Sequence, residues 1–177
     1  MLQKGIESDG INHMTNIVHC RIDFRLIHGQ VVTKWLKMKE ATLIMIIDDE
    51  LSKDEFLGMV YKMAAPRGYE VLILSIEDAL KMRDSIEDKR IFILFKNIET
   101  ASEAVKHGFR LESLQVGGLE GKPGKTSVFH HFPVDENDCD LLKGIENAGT
   151  HVFFQTVPGE NEVELSSVLQ KMKEKSK

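Results

Sequence analysis

The chain has 177 residues, of which 42% are apolar and 29% are charged, and its formal net charge is −5. A chain of this length can bury a core without disulfides or metal ions, and the composition is typical of a globular protein. Because nucleic-acid-binding domains usually carry a basic excess, we expect no nucleic-acid partner. The two cysteines, Cys20 and Cys139, lie far apart and outside any C-x-x-C motif, which favours a reducing cytoplasm.

The first 13 residues are polar and irregular, and they lack the apolar segment of a secretory signal. We expect them to be a disordered extension, or the product of a start codon placed ahead of Met14. Residues 14–177 show no linker, repeat or low-complexity segment, which predicts a single domain. No apolar run approaches the ~20 residues that a membrane-spanning helix needs.

Short apolar runs alternate with amphipathic stretches along the rest of the chain. Seven runs are predicted as strands: residues 16–22, 42–47, 69–74, 90–95, 111–116, 126–132 and 150–156. Helices are predicted between most of them, one starting at a capping box of Ser52 and Glu55 and one capped by Ser75 with Asp78. The alternation predicts an α/β fold, an open and mostly parallel sheet of about seven strands with helices on both faces.

Four polar loops, residues 21–32, 48–50, 95–97 and 117–125, begin at the ends of predicted strands. Ligands of parallel sheets usually bind at the edge where the strands end. If the four strands are parallel, the loops gather at that edge. The first of them carries His28 where a strand gives way to a helix.

His28 has the surroundings that a histidine nucleophile needs. A neutral imidazole is abundant near pH 7 and can attack phosphorus. Gly29 and Gln30 open a helix whose free N–H groups can bind phosphoryl oxygens, Arg25 can do so through its guanidinium, and Asp23 can orient a side chain. A surface or capping histidine is the commoner meaning of such spacing, and P-loop and dinucleotide-binding glycine patterns are absent from this region.

Residues 21–31, RIDFRLIHGQV, closely resemble the signature of the IIB component of the bacterial sugar phosphotransferase system, mannose/fructose/sorbose type. The usual form is RIDDRLIHGQV, so ten of eleven positions agree. The resemblance continues in order through IIDDELSKDEF, MAAPRGYEV, LFKN and QVGGLEGKPGKTSV. It extends from about Ile17 to the last helix.

This resemblance implies a protein-histidine:sugar phosphotransferase with an open α/β fold. His28 would accept a phosphoryl group from a phosphohistidine on a separate IIA protein and pass it to a sugar held by the membrane components IIC and IID. It implies no metal and no organic cofactor. The expected location is the cytoplasm, at the inner face of the membrane through IIC and IID. The sugar is not specified by the sequence, and homodimer formation is left open.

Phe24 departs from the family pattern, which has aspartate there. Loss of an acid beside a phosphohistidine could strengthen or loosen phosphate binding, and an exposed aromatic could contact a partner. Our hypothesis is that Phe24 alters partner recognition more than chemistry.

Besides the catalytic candidates His28, Arg25 and Asp23, several residues are candidates for binding phosphate or a partner: Arg21, Phe24, Gly29, Gln30, Asp48, Gly117, Gly118, Lys122 and Lys125. The glycine-rich loop could cradle phosphate, although contact with a partner is favoured. Asp48 is expected to shape its loop. The adjacent His130 and His131 face opposite sides of a strand, and no zinc-ligand spacing emerges, so a structural role is favoured.

Two other functions stay open from the residues alone. Asp48 and Asp49 resemble the acidic pair of a receiver domain, a signalling module, but a receiver places that pair after its first strand. A degenerate regulatory IIB paralogue is the other alternative, although His28 is intact. Phosphohistidine is labile in acid and stable in alkali, whereas acyl phosphate is labile in both. The stability of the phosphorylated protein in alkali therefore distinguishes a histidine phosphocarrier from a receiver domain.

Overall fold

The computed structural model describes residues 16–82, 85–86, 88–129 and 132–175. The expected disordered extension, residues 1–13, and the adjacent His130 and His131 lie outside these ranges. None of the helices within them has the length and apolar character needed to cross a bilayer.

Within the described ranges, nine strands form two sheets. They are β1 (Ile17–Asp23), β2 (Leu43–Ile47), β3 (Glu70–Leu74), β4 (Ile91–Phe95), β5 (Ser113–Gly118), β6 (Thr126–Val128), β7 (Phe132–Val134), β8 (His151–Phe154) and β9 (Val163–Glu164). Seven make one sheet in the order β3-β2-β4-β1-β5-β8-β9. All its described pairings are parallel except β8 with β9, which confirms the predicted open, mostly parallel sheet.

The prediction of one strand over residues 126–132 is wrong. The chain reverses near Phe129, which has a φ of +48°, and β6 and β7 pair as an antiparallel hairpin outside the main sheet. The seventh strand of the main sheet is instead β9, two residues long. A strand of two residues is too short to form an apolar run, so the sequence did not predict β9.

In the part of the chain that the structure describes, six α-helices cover the sheet: α1 (Gly29–Met38), α2 (Glu55–Ala64), α3 (Ile76–Met82), α4 (Ile98–Lys106), α5 (Glu136–Asn147) and α6 (Leu165–Lys175). The first two contribute Trp35, Leu36 and Tyr61 to an apolar cluster on one face. The other four pack on the opposite face, where Ala101 and Leu142 are fully buried. Helices on both faces are therefore confirmed.

The helix caps differ from prediction at one place. Ser52 lies in a 3-10 helix, Leu51–Lys53, and α2 is capped by Asp54, whose carboxylate accepts from the N–H of Leu57 at 2.9 Å. The predicted capping box of Ser52 and Glu55 is therefore wrong. The predicted cap at Ser75 is confirmed, since its hydroxyl accepts from the Asp78 N–H at 3.1 Å.

Parallel pairing brings the ends of β2, β4, β1 and β5 to one edge of the sheet. The four polar loops follow these four neighbouring strands, so their predicted convergence is confirmed. The β1–α1 loop lies between the loops after β4 and β5.

Candidate functional site

The loop between β1 and α1 turns sharply to present His28 at the start of the helix. The N–H of Leu26 donates to the carbonyl of Asp23 at 2.9 Å. Leu26 has a φ of +53°, a conformation unusual for leucine, and its side chain is fully buried. The buried leucine thus anchors the turn, and its carbonyl points toward the histidine that follows.

Both ring nitrogens of His28 face the loop that carries it. Nδ1 lies 3.0 Å from the carbonyl oxygen of Leu26, and because a carbonyl only accepts, Nδ1 carries the proton of this hydrogen bond. Nε2 lies 3.8 Å from a carboxylate oxygen of Asp23. Nε2 is buried and has no hydrogen-bond partner among the described residues.

Asp23 is a fully buried carboxylate that joins the parts of this loop. One oxygen is 2.8 Å from Nη2 of Arg21. The other accepts from the backbone N–H of Arg25 at 3.2 Å and lies 3.5 Å from its Nε. A buried carboxylate is stable only with such partners. Asp23 therefore fixes the positions of Arg25 and His28 relative to each other.

Arg21 lies beneath the loop rather than on its surface. Its guanidinium donates to Gln115 Oε1 at 2.6 Å and to the carbonyls of Gln155 and Thr156 at 3.2 and 3.1 Å. Burial lowers the pKa of Arg21, and the carboxylate of Asp23 opposes that shift. Because Arg21 is fully buried, we assign it to holding Asp23 rather than to contact with phosphate or a partner.

Gly117 and Gly118 make room for this buried ion pair. A β-carbon on Gly117 would overlap the guanidinium of Arg21, and one on Gly118 would lie 3.0 Å from a carboxylate oxygen of Asp23. The structure thus gives both glycines a packing reason. Their predicted cradling of phosphate gains no support from it.

Arg25 and Phe24 form the exposed part of the loop. The Arg25 guanidinium lies 5.4 Å from the centre of the Phe24 ring, within the range of a cation–π contact. Phe24 is 36% exposed, and the Arg25 side chain is 46% exposed. Arg25 is therefore the solvent-exposed cation of this loop.

The first amides of α1 add to this positive surface. His28 is the N-cap residue and makes no side-chain capping hydrogen bond, so the first N–H groups of the helix, including those of Gly29 and Gln30, are open to a ligand. Gly29 has a φ of +50° with open space around its α-carbon. The turn therefore favours glycine for its conformation.

A cleft of about 620 Å³ opens beside the loop, and Phe24 forms part of its wall. Asp48 also lines it, and its carboxylate accepts from the N–H groups of Glu50 and Leu51 at 3.1 and 2.8 Å, as a loop-shaping residue should. His28 is not among the lining residues. Phe24, four residues before His28 in the same loop, is therefore the residue by which this loop reaches the cleft.

The two lysines predicted to bind phosphate or a partner line the cleft and have acidic neighbours. Lys122 is exposed and lies 3.2 Å from Glu120. Lys125 is mostly buried, and its ammonium donates to Asp138 at 2.7 Å. Lys122 is the freer of the two, whereas Lys125 fastens the glycine-rich loop to α5.

Buried polar residues behind the loop were not predicted from the sequence. Gln115 accepts from Arg21 and donates to Gln155 Oε1 at 2.9 Å. Its oxygen also lies 3.0 Å from Nε2 of His19, whose ring stacks on Trp35 at 5.1 Å. A glutamine inside the apolar run 111–116 was the available signal, because a buried amide needs polar partners.

Comparison with known proteins is consistent with this site. The profile of the family described as "PTS system sorbose subfamily IIB component" matches residues 17–177. The sorbose-specific EIIB component of Lacticaseibacillus casei is 33% identical over 143 residues, which are 80% of this chain and 87% of the relative.

Two crystal structures have the same fold. The manxB structure from Thermoanaerobacter tengcongensis is 36% identical with a TM-score of 0.83, over 90% of this chain and 98% of that one. The IIBSor domain of the sorbose permease from Klebsiella pneumoniae is 30% identical with a TM-score of 0.82, over 88% and 98% of the two chains. The chain therefore belongs to the sorbose subfamily of IIB components of the sugar phosphotransferase system, which are phosphotransferases of sugar uptake.

Proposed function

We propose that His28 is the residue that carries the phosphoryl group. It would receive the group from a phosphohistidine of a IIA protein and deliver it to a sugar bound by the membrane components IIC and IID. The observation that carries this proposal is the position of His28 at the uncapped start of α1, beside the exposed guanidinium of Arg25. Residues 14–177 would act as one IIB domain in the cytoplasm, at the inner face of the membrane.

The transfer consists of two displacements at phosphorus. In the first, a ring nitrogen of His28 gives its lone pair to phosphorus, and the bond to the donor histidine breaks with its electron pair returning to that ring. In the second, a sugar hydroxyl attacks, the bond from phosphorus to His28 breaks, and the hydroxyl proton is released. Arg25 and the first N–H groups of α1 would hold the phosphoryl oxygens in both steps.

The unphosphorylated ring must turn before it reacts. With the proton on Nδ1, the lone pair is on Nε2, and Nε2 is buried against Asp23. A phosphoryl donor cannot approach from that side. We therefore propose that docking of a partner turns the ring outward, while Asp23 and the buried Arg21 hold the loop in place.

The neighbouring surface would select the partners. Phe24 and Lys122 line the cleft beside the loop and are both exposed, which suits contact with IIA or the permease. The receiver-domain alternative is not favoured. Asp48 uses its carboxylate to close its own loop.

The test follows a labelled phosphoryl group through the relay. The chain is incubated with phosphoenolpyruvate, the general energy-coupling proteins and a IIA protein of the sorbose class, and then with membranes that contain IIC and IID and a sugar. We expect an acid-labile, alkali-stable label that the sugar removes. An unlabelled chain, or an alkali-labile label, would contradict the proposal.

A further inference from the structure

Helix α2 is held to the sheet by a narrow contact. Gly58 is the buried residue of this helix, and a β-carbon there would touch the side chain of Ile73 in β3 at 3.5 Å. Tyr61 is partly buried in the same cluster. No other part of the described chain covers the opposite face of the helix.

That free face is apolar. Phe56 is 75% exposed, Met59 62%, Val60 45% and Met63 80%. Their spacing of i, i+3, i+4 and i+7 places them on one side of the helix. With roughly 150–250 Å² for a large side chain, they expose on the order of 500 Å², near the upper limit for a patch on a monomer. We call these four residues the α2 patch.

We propose that the α2 patch binds a second copy of this chain through a two-fold axis, with the two α2 helices antiparallel. An antiparallel pair centred between Met59 and Val60 places Phe56 of each copy against Met63 of the other, a favourable sulfur–aromatic contact. The patch is therefore complementary to itself, as an interface of this symmetry requires.

The charges beside the patch fit the same arrangement. Glu55 and Lys62 lie on one flank of the helix, near its opposite ends, and neither forms an ion pair with a residue that the structure describes. In the antiparallel pair, Glu55 of each copy lies on the same side as Lys62 of the other and about two residues, roughly 3 Å along the helix axis, from its level, which the two long side chains can span. A parallel pair would set like charges together. Pairing the two patches would bury on the order of 1,000 Å² in total, at the lower end for a specific interface.

The α2 patch contains no residue of the candidate phosphorylation site. Helix α2 packs over β3, the edge strand, whereas β1, which leads to His28, is the third strand from it in the sheet. At about 4.8 Å per strand, the separation across the sheet is about 14 Å. Dimerisation and phosphoryl transfer can therefore be tested independently.

The first test measures the mass of the full chain by sedimentation equilibrium at roughly 1 to 100 µM. We expect wild type to approach twice its 20.1 kDa monomer mass and Met63→Glu to dimerise at least about tenfold more weakly. Met38→Glu is the matched control, because Met38 is exposed on α1 and should leave the dimer intact. Circular dichroism confirms that each variant is folded.

The second test uses charge reversal. Glu55→Lys and Lys62→Glu should each weaken the dimer, and the double variant should restore it, because the exchanged pair is again complementary. A wild type that stays monomeric throughout this range would overturn the proposal. Binding of the patch to permease-containing membranes or to anionic lipid vesicles would then identify a different occupant, and the proposal would still be overturned. A dimer unaffected by Met63→Glu would overturn it as well.

Discussion

The guanidinium of Arg21 occupies the space that a side chain at position 117 would need. Gly117 therefore allows a buried arginine to cross beneath β5 and pair with Asp23. Because Asp23 in turn contacts the loop of Arg25 and His28, a single missing β-carbon supports the geometry of the candidate site.

Gly117→Ala should displace Arg21 and leave a buried charge poorly paired. We expect it to lower the free energy of unfolding by about 2–4 kcal/mol in urea denaturation. Gly144→Ala is the matched control. Gly144 lies in α5 with open space around its α-carbon, so alanine should stabilise by roughly 0.5–1 kcal/mol. Equal effects of the two changes would show that Arg21 does not depend on Gly117.

The tautomer of the unphosphorylated His28 ring is a direct consequence of its contacts. Long-range nitrogen–proton NMR above the range where histidine is protonated should show the proton on Nδ1. Two surface histidines provide references, because His107 donates from Nδ1 to Glu103 and His151 from Nε2 to Glu164. A signal for His28 like that of His151 would contradict the proposed resting state.

The free energy of unfolding should decrease as the pH is lowered, because of His19. Burial lowers the pKa of His19 from 6.5 to about 4, so the unfolded chain gains a proton in this range before the folded chain does. The contribution of His19 to the free energy of unfolding is up to about 3 kcal/mol. It is fully present above about pH 6.5 and is lost as the pH falls toward about 4. His19→Gln should flatten the pH dependence of unfolding, whereas His107→Gln should leave it unchanged.

Phe24→Asp restores the residue usual in the family and tests the role of the aromatic ring. The change removes the ring beneath Arg25 and adds a charge to the cleft wall. We expect the transfer rate with IIA or the permease to change by about tenfold, and spontaneous hydrolysis of the phosphoprotein to change little. Phe24→Leu, which keeps the apolar surface, is the control. Altered hydrolysis with unaltered transfer would refute the hypothesis.

The sequence predicted the sheet, its helices and the gathering of the loops, because apolar runs and strand ends are local signals. It did not predict β9, which is too short to have a pattern, or the hairpin at Phe129. The site divided in the same way. The family signature predicts His28 and Arg25 as site residues, whereas the burial of Arg21 depends on Gly117 and Gln115, which are almost a hundred residues away in the chain.

The most direct test of the proposed function is to locate the phosphoryl group after transfer from IIA. Wild type, His28→Ala and His151→Ala are phosphorylated in parallel, and their peptides are sequenced by mass spectrometry under alkaline conditions. We predict one phosphoryl group on His28 in wild type and in His151→Ala, and none in His28→Ala. A phosphoryl group on any other residue of the wild type, or full labelling of His28→Ala, would contradict it.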